Sequence, residues 1–232
     1  MQTEFETGIF IKECSNRFLC IVKIRNIEET CYMSSSSKLS HFIQLAGRQV
    51  LLIPNKGKEV KTKYTLFAVK NDIDYTLLNL CYVNKLLLNE FSKQDSIYEK
   101  PGKILREKKV EQLLKVDFLI ESSQKIIVEA KGILTENTTA YFPSVVKVDR
   151  AIHQLIKLKL LLEKGYHVHY YIVLMNKEIR YLVLNKEYSA FFQAFTECLQ
   201  KGMRIFVFKT IWDKQNFSLV RDLSIEKFLI CN

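Results

Sequence analysis

Lys115-Val116-Asp117-Phe118-Leu119-Ile120-Glu121-Ser122-Ser123-Gln124-Lys125-Ile126-Ile127-Val128-Glu129-Ala130-Lys131 reads as two apolar strands joined by the polar turn Ser122-Ser123-Gln124. A turn centred on Ser123 sets Asp117 opposite Glu129. Directly opposed residues have side-chain roots about 4.5 to 5.5 Å apart, and two like charges at that distance destabilise a sheet. The rest of the hairpin is apolar, with Val116, Phe118 and Ile120 on one strand and Ile126 and Val128 on the other. Two carboxylates at its open end are best explained by a bound divalent cation, and hard oxygen ligands suit Mg2+ or Mn2+. The expected metal site is Asp117, Glu129 and Ala130.

Lys131 follows Glu129 by two residues, so on a strand the two point to one face and Ala130 to the other. The arrangement predicts hydrolytic chemistry. Asp117 and Glu129 hold the ion, and Lys131 orients or deprotonates a water and screens charge on a phosphorane. A Glu-x-Lys triplet alone says little, because Glu59-Val60-Lys61 and Glu107-Lys108-Lys109 also match. Only Glu129-Ala130-Lys131 ends an apolar strand with an aspartate across a hairpin from it. Glu107 is a further candidate ligand for the ion or its water. His167 and His169 alternate on one strand face with no third ligand in sight and read as structural.

Outward from the hairpin, a helix is predicted from about Asp149 to Lys164, stopped by Gly165, and then a buried strand His169 to Met175. A second helix is expected from the cap candidate Asn185 to Lys201, stopped by Gly202 and followed by the strand Arg204 to Phe208. Upstream lie a strand near Leu105 to Val110 and a linker at Pro101-Gly102. Before them, Leu80, Val83, Leu87 and Phe91 form one apolar helical stripe. This second part, residues 81–232, is therefore a mixed α/β sheet with helices on both faces. Residues 1–80 read as all-β, with short strands at Arg17–Arg25, Glu29–Ser34, Gln49–Pro54, Thr62–Lys70 and Ile73–Leu80. Five strands in so short a span predict a small barrel of the oligonucleotide-binding (OB-like) type. One of its loops carries Lys56, Lys58, Lys61 and Lys63 beside Tyr64 and Phe67, the combination of charge and aromatic rings expected of a nucleic-acid-binding groove.

The 232 residues are 48% hydrophobic and 26% charged, enough to bury a sizeable core. The excess of 35 Lys and Arg over 25 Asp and Glu gives a net charge of +10, which attracts polyanions. Apolar runs such as Tyr170 to Met175 are far too short to cross a bilayer, and the start, Met1-Gln2-Thr3-Glu4-Phe5-Glu6, is acidic where a secretory signal is basic and then apolar. Cys14, Cys20, Cys31, Cys81, Cys198 and Cys231 form no Cys-x-x-Cys pair and read as reduced, so the expected location is cytoplasmic.

Asp117 with Glu129-Ala130-Lys131 matches the signature of the PD-(D/E)XK nuclease superfamily. Along nearly its whole length the chain resembles the sugar fermentation stimulation protein A family. The resemblance is carried by Arg17-Phe18-Leu19, Tyr64-Thr65-Leu66, Val83-Asn84, Asn89, Arg106-Glu107, Val116-Asp117-Phe118-Leu119, Val128-Glu129-Ala130-Lys131 and Phe142-Pro143. It implies an OB-like barrel followed by a PD-(D/E)XK nuclease-like domain, with DNA as partner. The family's helix after Phe-Pro carries an arginine and, four residues on, a histidine. These positions fall here on Arg150 and Gln154, which share a helix face where a phosphate clamp needs them. Three stretches depart from the family pattern: Met33 to Lys38, Lys93-Gln94 and Ser144-Val145-Val146. The leading expectation is a Mg2+- or Mn2+-dependent nuclease, with Asp117, Glu129, Lys131, Arg150 and Gln154 as catalytic residues. A DNA-binding regulator that keeps the nuclease fold without catalysis, and a protein-interaction module, are the competing readings. Oligomeric state, including a homo-oligomer, is left open.

Overall fold

The structure is a computed structural model that describes residues 4–35, 37–56, 61–72, 74–93, 96–98, 102–121, 123–144 and 148–226. In chain order the strands and helices are β1 (Glu6–Glu13), β2 (Leu19–Ile24), β3 (Ile27–Tyr32), β4 (Gln49–Pro54), β5 (Tyr64–Lys70), β6 (Tyr75–Leu77) and α1 (Leu80–Phe91). There follow β7 (Lys103–Arg106), β8 (Lys109–Val110), β9 (Leu114–Lys115), β10 (Phe118–Glu121), β11 (Lys125–Ile133), β12 (Thr139–Phe142) and α2 (Val148–Glu163). The chain continues with β13 (His167–Leu174), β14 (Tyr181–Leu184), α3 (Ser189–Gln200), β15 (Arg204–Trp212) and β16 (Phe217–Arg221). Among the described residues no helix is long and apolar enough to cross a membrane.

The first sheet runs β3-β2-β1-β4-β5-β6 and closes on itself where Tyr32 of β3 pairs with Thr65 of β5. β1 to β5 thus form a closed five-stranded barrel, with β6 added outside the ring. The five strands expected from sequence were not quite these five. β1 was missed because Glu6, Lys12 and Glu13 dilute its apolar alternation and Gly8 breaks it. Gly8 is required by close packing, since a Cβ there would come within 2.5 Å of Val22 Cγ1. The expected strand Ile73–Leu80, whose Ile73 lies outside the described residues, ends at Leu77, because Asn79 caps the next helix, its side chain accepting from the Tyr82 backbone N–H at 3.2 Å.

The second sheet has the order β16-β15-β13-β11-β10-β7, with β11, β13 and β15 parallel at the centre and antiparallel strands outside them. Its alternation feeds two cores. Tyr170, Ile172 and Leu174 of β13 face α2 and α3, whereas Tyr171, Val173 and Met175 face α1 and the barrel. The mixed sheet with helices on both faces is as expected. Between the expected strand Leu105–Val110 and its two fragments, β7 and β8, stands Glu107 at φ +50, which bends the chain. β12, β14 and β16 were not anticipated. Asn185 does not cap α3, because its carboxamide oxygen accepts from the Glu187 backbone N–H at 3.1 Å in a turn ahead of the helix.

One continuous core joins the barrel to the second sheet through α1. Phe67 of β5 packs on Phe5, Tyr82 and Phe217 with ring centroids 5.0, 4.8 and 5.7 Å away. Phe67 is fully buried, so it cannot offer a face to a nucleic-acid base as expected. The alternation of Tyr64-Thr65-Leu66-Phe67 hid this, because β5 is buried on both faces from Leu66 to Val69. Gly132 lets α1 lie close on β11: a Cβ there would stand 2.8 Å from Leu80 Cδ2 and 2.9 Å from Met175 Sδ. At the other end of α1, Phe91 sits 5.2, 5.3 and 5.2 Å from the rings of Tyr98, Phe118 and Tyr171. Truncating a fully buried ring removes its transfer energy and leaves a cavity, so Phe91→Ala is expected to lower unfolding free energy by about 3–5 kcal/mol in urea titration. A loss below about 1 kcal/mol would show that α1 does not anchor the two halves.

Candidate active site

The β10–β11 ladder pairs Phe118 with Val128 and Ile120 with Ile126, which is the register that sets Asp117 opposite Glu129 one step beyond the last pair. Asp117 stands just before β10, where the ladder ends, and its carboxylate takes two partners. Oδ2 accepts from the Ala130 backbone N–H at 2.9 Å, and Oδ1 accepts from the Asn84 side-chain amide of α1 at 3.1 Å. The close approach of α1 that Gly132 permits thus reaches the site through Asn84. From sequence Asn84 carries only the family resemblance. The only signal was a carboxamide amid the apolar residues of a helix, and its partner lies 33 positions away.

Glu129 is 3% exposed. One oxygen, Oε1, accepts from Lys131 Nζ at 2.6 Å, and the same ammonium donates to Gln154 Oε1 of α2 at 2.8 Å. The other oxygen, Oε2, is buried and has no hydrogen-bond partner. A buried carboxylate oxygen left so is expensive, and proteins leave few of them without cause. Burial pushes the Glu129 carboxyl up to about 7; Lys131 and, more weakly, the Gln154 side chain oppose this, while the charge of Asp117 adds to it.

These groups line a cleft of about 480 Å³ with Glu107, Lys115, Val116, Ala130, Arg150 and Ala151. Arg150 is exposed at its mouth, one helical turn before Gln154. Glu107 lies in the cleft but is exposed and ion-paired with Lys115 at 2.6 Å. Ala130 has no ligating side chain and enters the site through its backbone. The structure therefore brings Asp117, Glu129, Ala130, Lys131, Arg150 and Gln154 to one place. A larger cleft of about 720 Å³, with Phe42, Ile133 and Tyr141 in its walls, is more apolar and contains neither Asp117 nor Glu129.

Among the described residues no three His, Cys, Asp or Glu side chains gather as a metal cluster. The donor set at the cleft is instead two carboxylates, one with an orphaned buried oxygen, and this suits a hard cation that completes its shell with water and substrate oxygens. His169 is elsewhere: it is buried, its Nδ1 shares a hydrogen bond of 2.9 Å with the Tyr98 hydroxyl, and burial holds it down at about 4. Cys14, Cys20, Cys31, Cys81 and Cys198 are free thiols. Of the lysine loop, Lys56, Lys61 and Lys63 are exposed, Lys63 pairs with Glu29 at 2.6 Å, and Tyr64 is half-buried. Lys58 lies outside the described residues.

A barrel is thus joined to a mixed sheet whose central hairpin carries two carboxylates and a lysine in one cleft, and comparison with known proteins gives the family. The family model described as the sugar fermentation stimulation protein RE domain matches residues 82–216. The chain belongs to the sugar fermentation stimulation protein family. A homologue from Desulfitobacterium hafniense is 26% identical over 206 residues, covering 88% of each chain, and one from Thermotoga neapolitana is 27% identical over 227 residues, covering 95% of each. The solved structure of Pyrococcus furiosus SfsA, described as a complex with Ca2+, has the same fold, with a TM-score of 0.81 over 95% of both chains at 21% identity.

Two buried groups give opposite pH dependence in overlapping windows. Glu129, raised from 4.5 to about 7, keeps its proton in the folded state where the unfolded chain has lost it, so its contribution to stability falls as pH rises from about 4.5 to 7. His169, lowered from 6.5 to about 4, makes stability rise between about 4 and 6.5. The Glu129 part is isolated by difference. In chelator, wild-type stability relative to Glu129→Gln is expected to drop by roughly 3 kcal/mol from pH 4.5 to 7.5. A pH-independent difference in denaturation curves would show that Glu129 is not buried as a carboxyl.

Proposed function

We propose that this protein binds DNA and hydrolyses its phosphodiester bonds with Mg2+ or Mn2+ at the Asp117–Glu129 cleft. The observation that carries the reading is the buried Glu129 Oε2, turned from solvent and without a protein partner. Asp117 and Glu129, with the backbone carbonyl oxygen of Ala130, would hold the cation. When bound, such an ion stabilises charge on a phosphate and lowers the pKa of a coordinated water. The Ca2+ with which Pyrococcus furiosus SfsA was solved, another hard oxygen-seeking ion, supports the choice of ligand chemistry.

The chain's own groups supply the rest. Asn84 and the Ala130 N–H hold both oxygens of Asp117, which fixes the carboxylate's orientation in the manner of an outer-shell ligand. Lys131, tethered between Glu129 and Gln154, presents its ammonium at the cleft, where it orients the attacking water and opposes negative charge that develops on phosphate. Arg150, at the mouth, offers a two-pronged donor to a flanking phosphate. The net charge of +10 favours a polyanion throughout. The barrel, closed in the manner of oligonucleotide-binding folds, is read as a second contact surface for the same partner.

Lys131→Ala is expected to slow cleavage of labelled DNA by about 10²-fold or more while leaving DNA affinity nearly unchanged, because affinity is set by the wider basic surface. Wild-type protein, freed of contaminating nucleases, that binds DNA yet cuts neither single strands nor duplex with either metal would replace this reading by that of a non-catalytic DNA-binding regulator. Asn84→Ala is expected to weaken Mn2+ binding in calorimetry by about tenfold or more. Unchanged affinity in that variant would mean that Asp117 needs no support from α1.

A further inference from the structure

The barrel surface carries an aromatic pair that the folded core does not use. Phe18, in the β1–β2 connection, and Tyr32, at the end of β3, are each 38% exposed. Their rings lie nearly parallel, 12° apart in plane, with centroids 6.4 Å apart. The Arg17 guanidinium lies 4.6 Å from the Phe18 ring centroid, a cation–π contact. The strand alternation explains the exposure of Tyr32: Cys20 and Cys31, a cross-strand pair, point into the barrel, and the next pair along the ladder, Leu19 with Tyr32, points out, while Phe18 stands just before β2, outside the ladder. A single exposed apolar residue needs no explanation, but two stacked rings with an arginine laid on one of them are a half-exposed cationic aromatic stack, a platform that a further ring can extend.

The platform lies beside Lys63. Tyr32 is the residue that closes the barrel by pairing with Thr65, immediately after Lys63 and Tyr64. Lys63 crosses back to β3 to meet Glu29. Both partners of that pair are at the surface, where ion pairs are weak and salt-screened, so a phosphate can compete for the lysine. Rings for base faces and the Lys63 ammonium for a phosphate are thus side by side at the edge of a closed barrel.

We propose that Arg17, Phe18 and Tyr32 form a stacking site for unpaired bases, so that the barrel selects single-stranded nucleic acid over duplex. In a duplex the base faces are covered by their neighbours, whereas in a single strand they are free to stack on aromatic rings and on guanidinium planes. The proposal rests on the nucleic-acid reading above and adds what that reading leaves open, the strand state of the partner and the residues that sense it. Stacking is tolerant of base identity, so the site discriminates by strandedness rather than by sequence.

The test is fluorescence anisotropy in chelator, which prevents cleavage, with a labelled twelve-nucleotide oligothymidylate and a blunt duplex of mixed sequence as probes. Phe18→Ala and Tyr32→Ala are each expected to weaken oligothymidylate binding by roughly tenfold or more while changing duplex affinity by less than about twofold. The slope of log affinity against log salt should stay as in wild type, because no phosphate contact is removed. Tyr32→Phe keeps the ring and should bind as wild type, which separates stacking from a fault in folding. Wild type that binds the oligothymidylate while both alanine variants bind it equally well overturns the platform and leaves the nucleic-acid reading standing. An equal loss on single strand and duplex also overturns it. Wild type with no affinity for either probe overturns the nucleic-acid reading and the platform together.

Discussion

Everything at the candidate site follows from one constraint: the β10–β11 register puts two carboxylates opposite each other, and burial removes one of them from water. Asp117 is satisfied by Ala130 and Asn84, whereas Glu129 has Lys131 on one oxygen and nothing on the other. Moving the register by one residue would turn the whole apolar set of β11 to the wrong core, so the placement of Glu129 is tied to the stability of the sheet itself. A protein that gained nothing from a half-satisfied buried carboxylate would lose stability by keeping it.

The architecture around that hairpin serves to hold it. β11 is flanked by β10 and β13, and its two faces are packed by α2 on one side and α1 on the other. α2 brings Gln154 onto Lys131, and α1 brings Asn84 onto Asp117, so the site is clamped from both faces of the sheet. Through α1 and the ring contacts of Phe67, the barrel shares the core that fixes this clamp. The barrel and the sheet are also joined by polar contacts at their seam, Arg48 with Glu136 and Lys177 with Asp74, both at 2.6 Å.

The parts legible from sequence were those with local periodicity. The hairpin's register could be read from its turn, and α1 from the spacing of Val83, Leu87 and Phe91. The helix stops at Gly165 and Gly202 are real, with φ of +85 and +96. What could not be read depended on distant partners. Asn84 gains its meaning only when α1 docks on β11, and Phe67 looked like a surface ring because its burying neighbours, Phe5 and Phe217, come from opposite ends of the chain. β1 escaped notice since its glycine is demanded by a strand that only the closed barrel brings against it. The aromatic platform was missed for a similar reason: Phe18 and Tyr32 are 14 positions apart and meet only through the β2–β3 ladder.

The claim on which the account stands is that Glu129 Oε2 is a cation ligand. The most direct measurement is anomalous diffraction from crystals soaked in Mn2+. A peak within bonding distance of Glu129 Oε2 and an Asp117 oxygen, lost in crystals of Glu129→Gln, is the result predicted. Ordered manganese bound elsewhere on the protein, with Glu129 still paired only to Lys131, would contradict it.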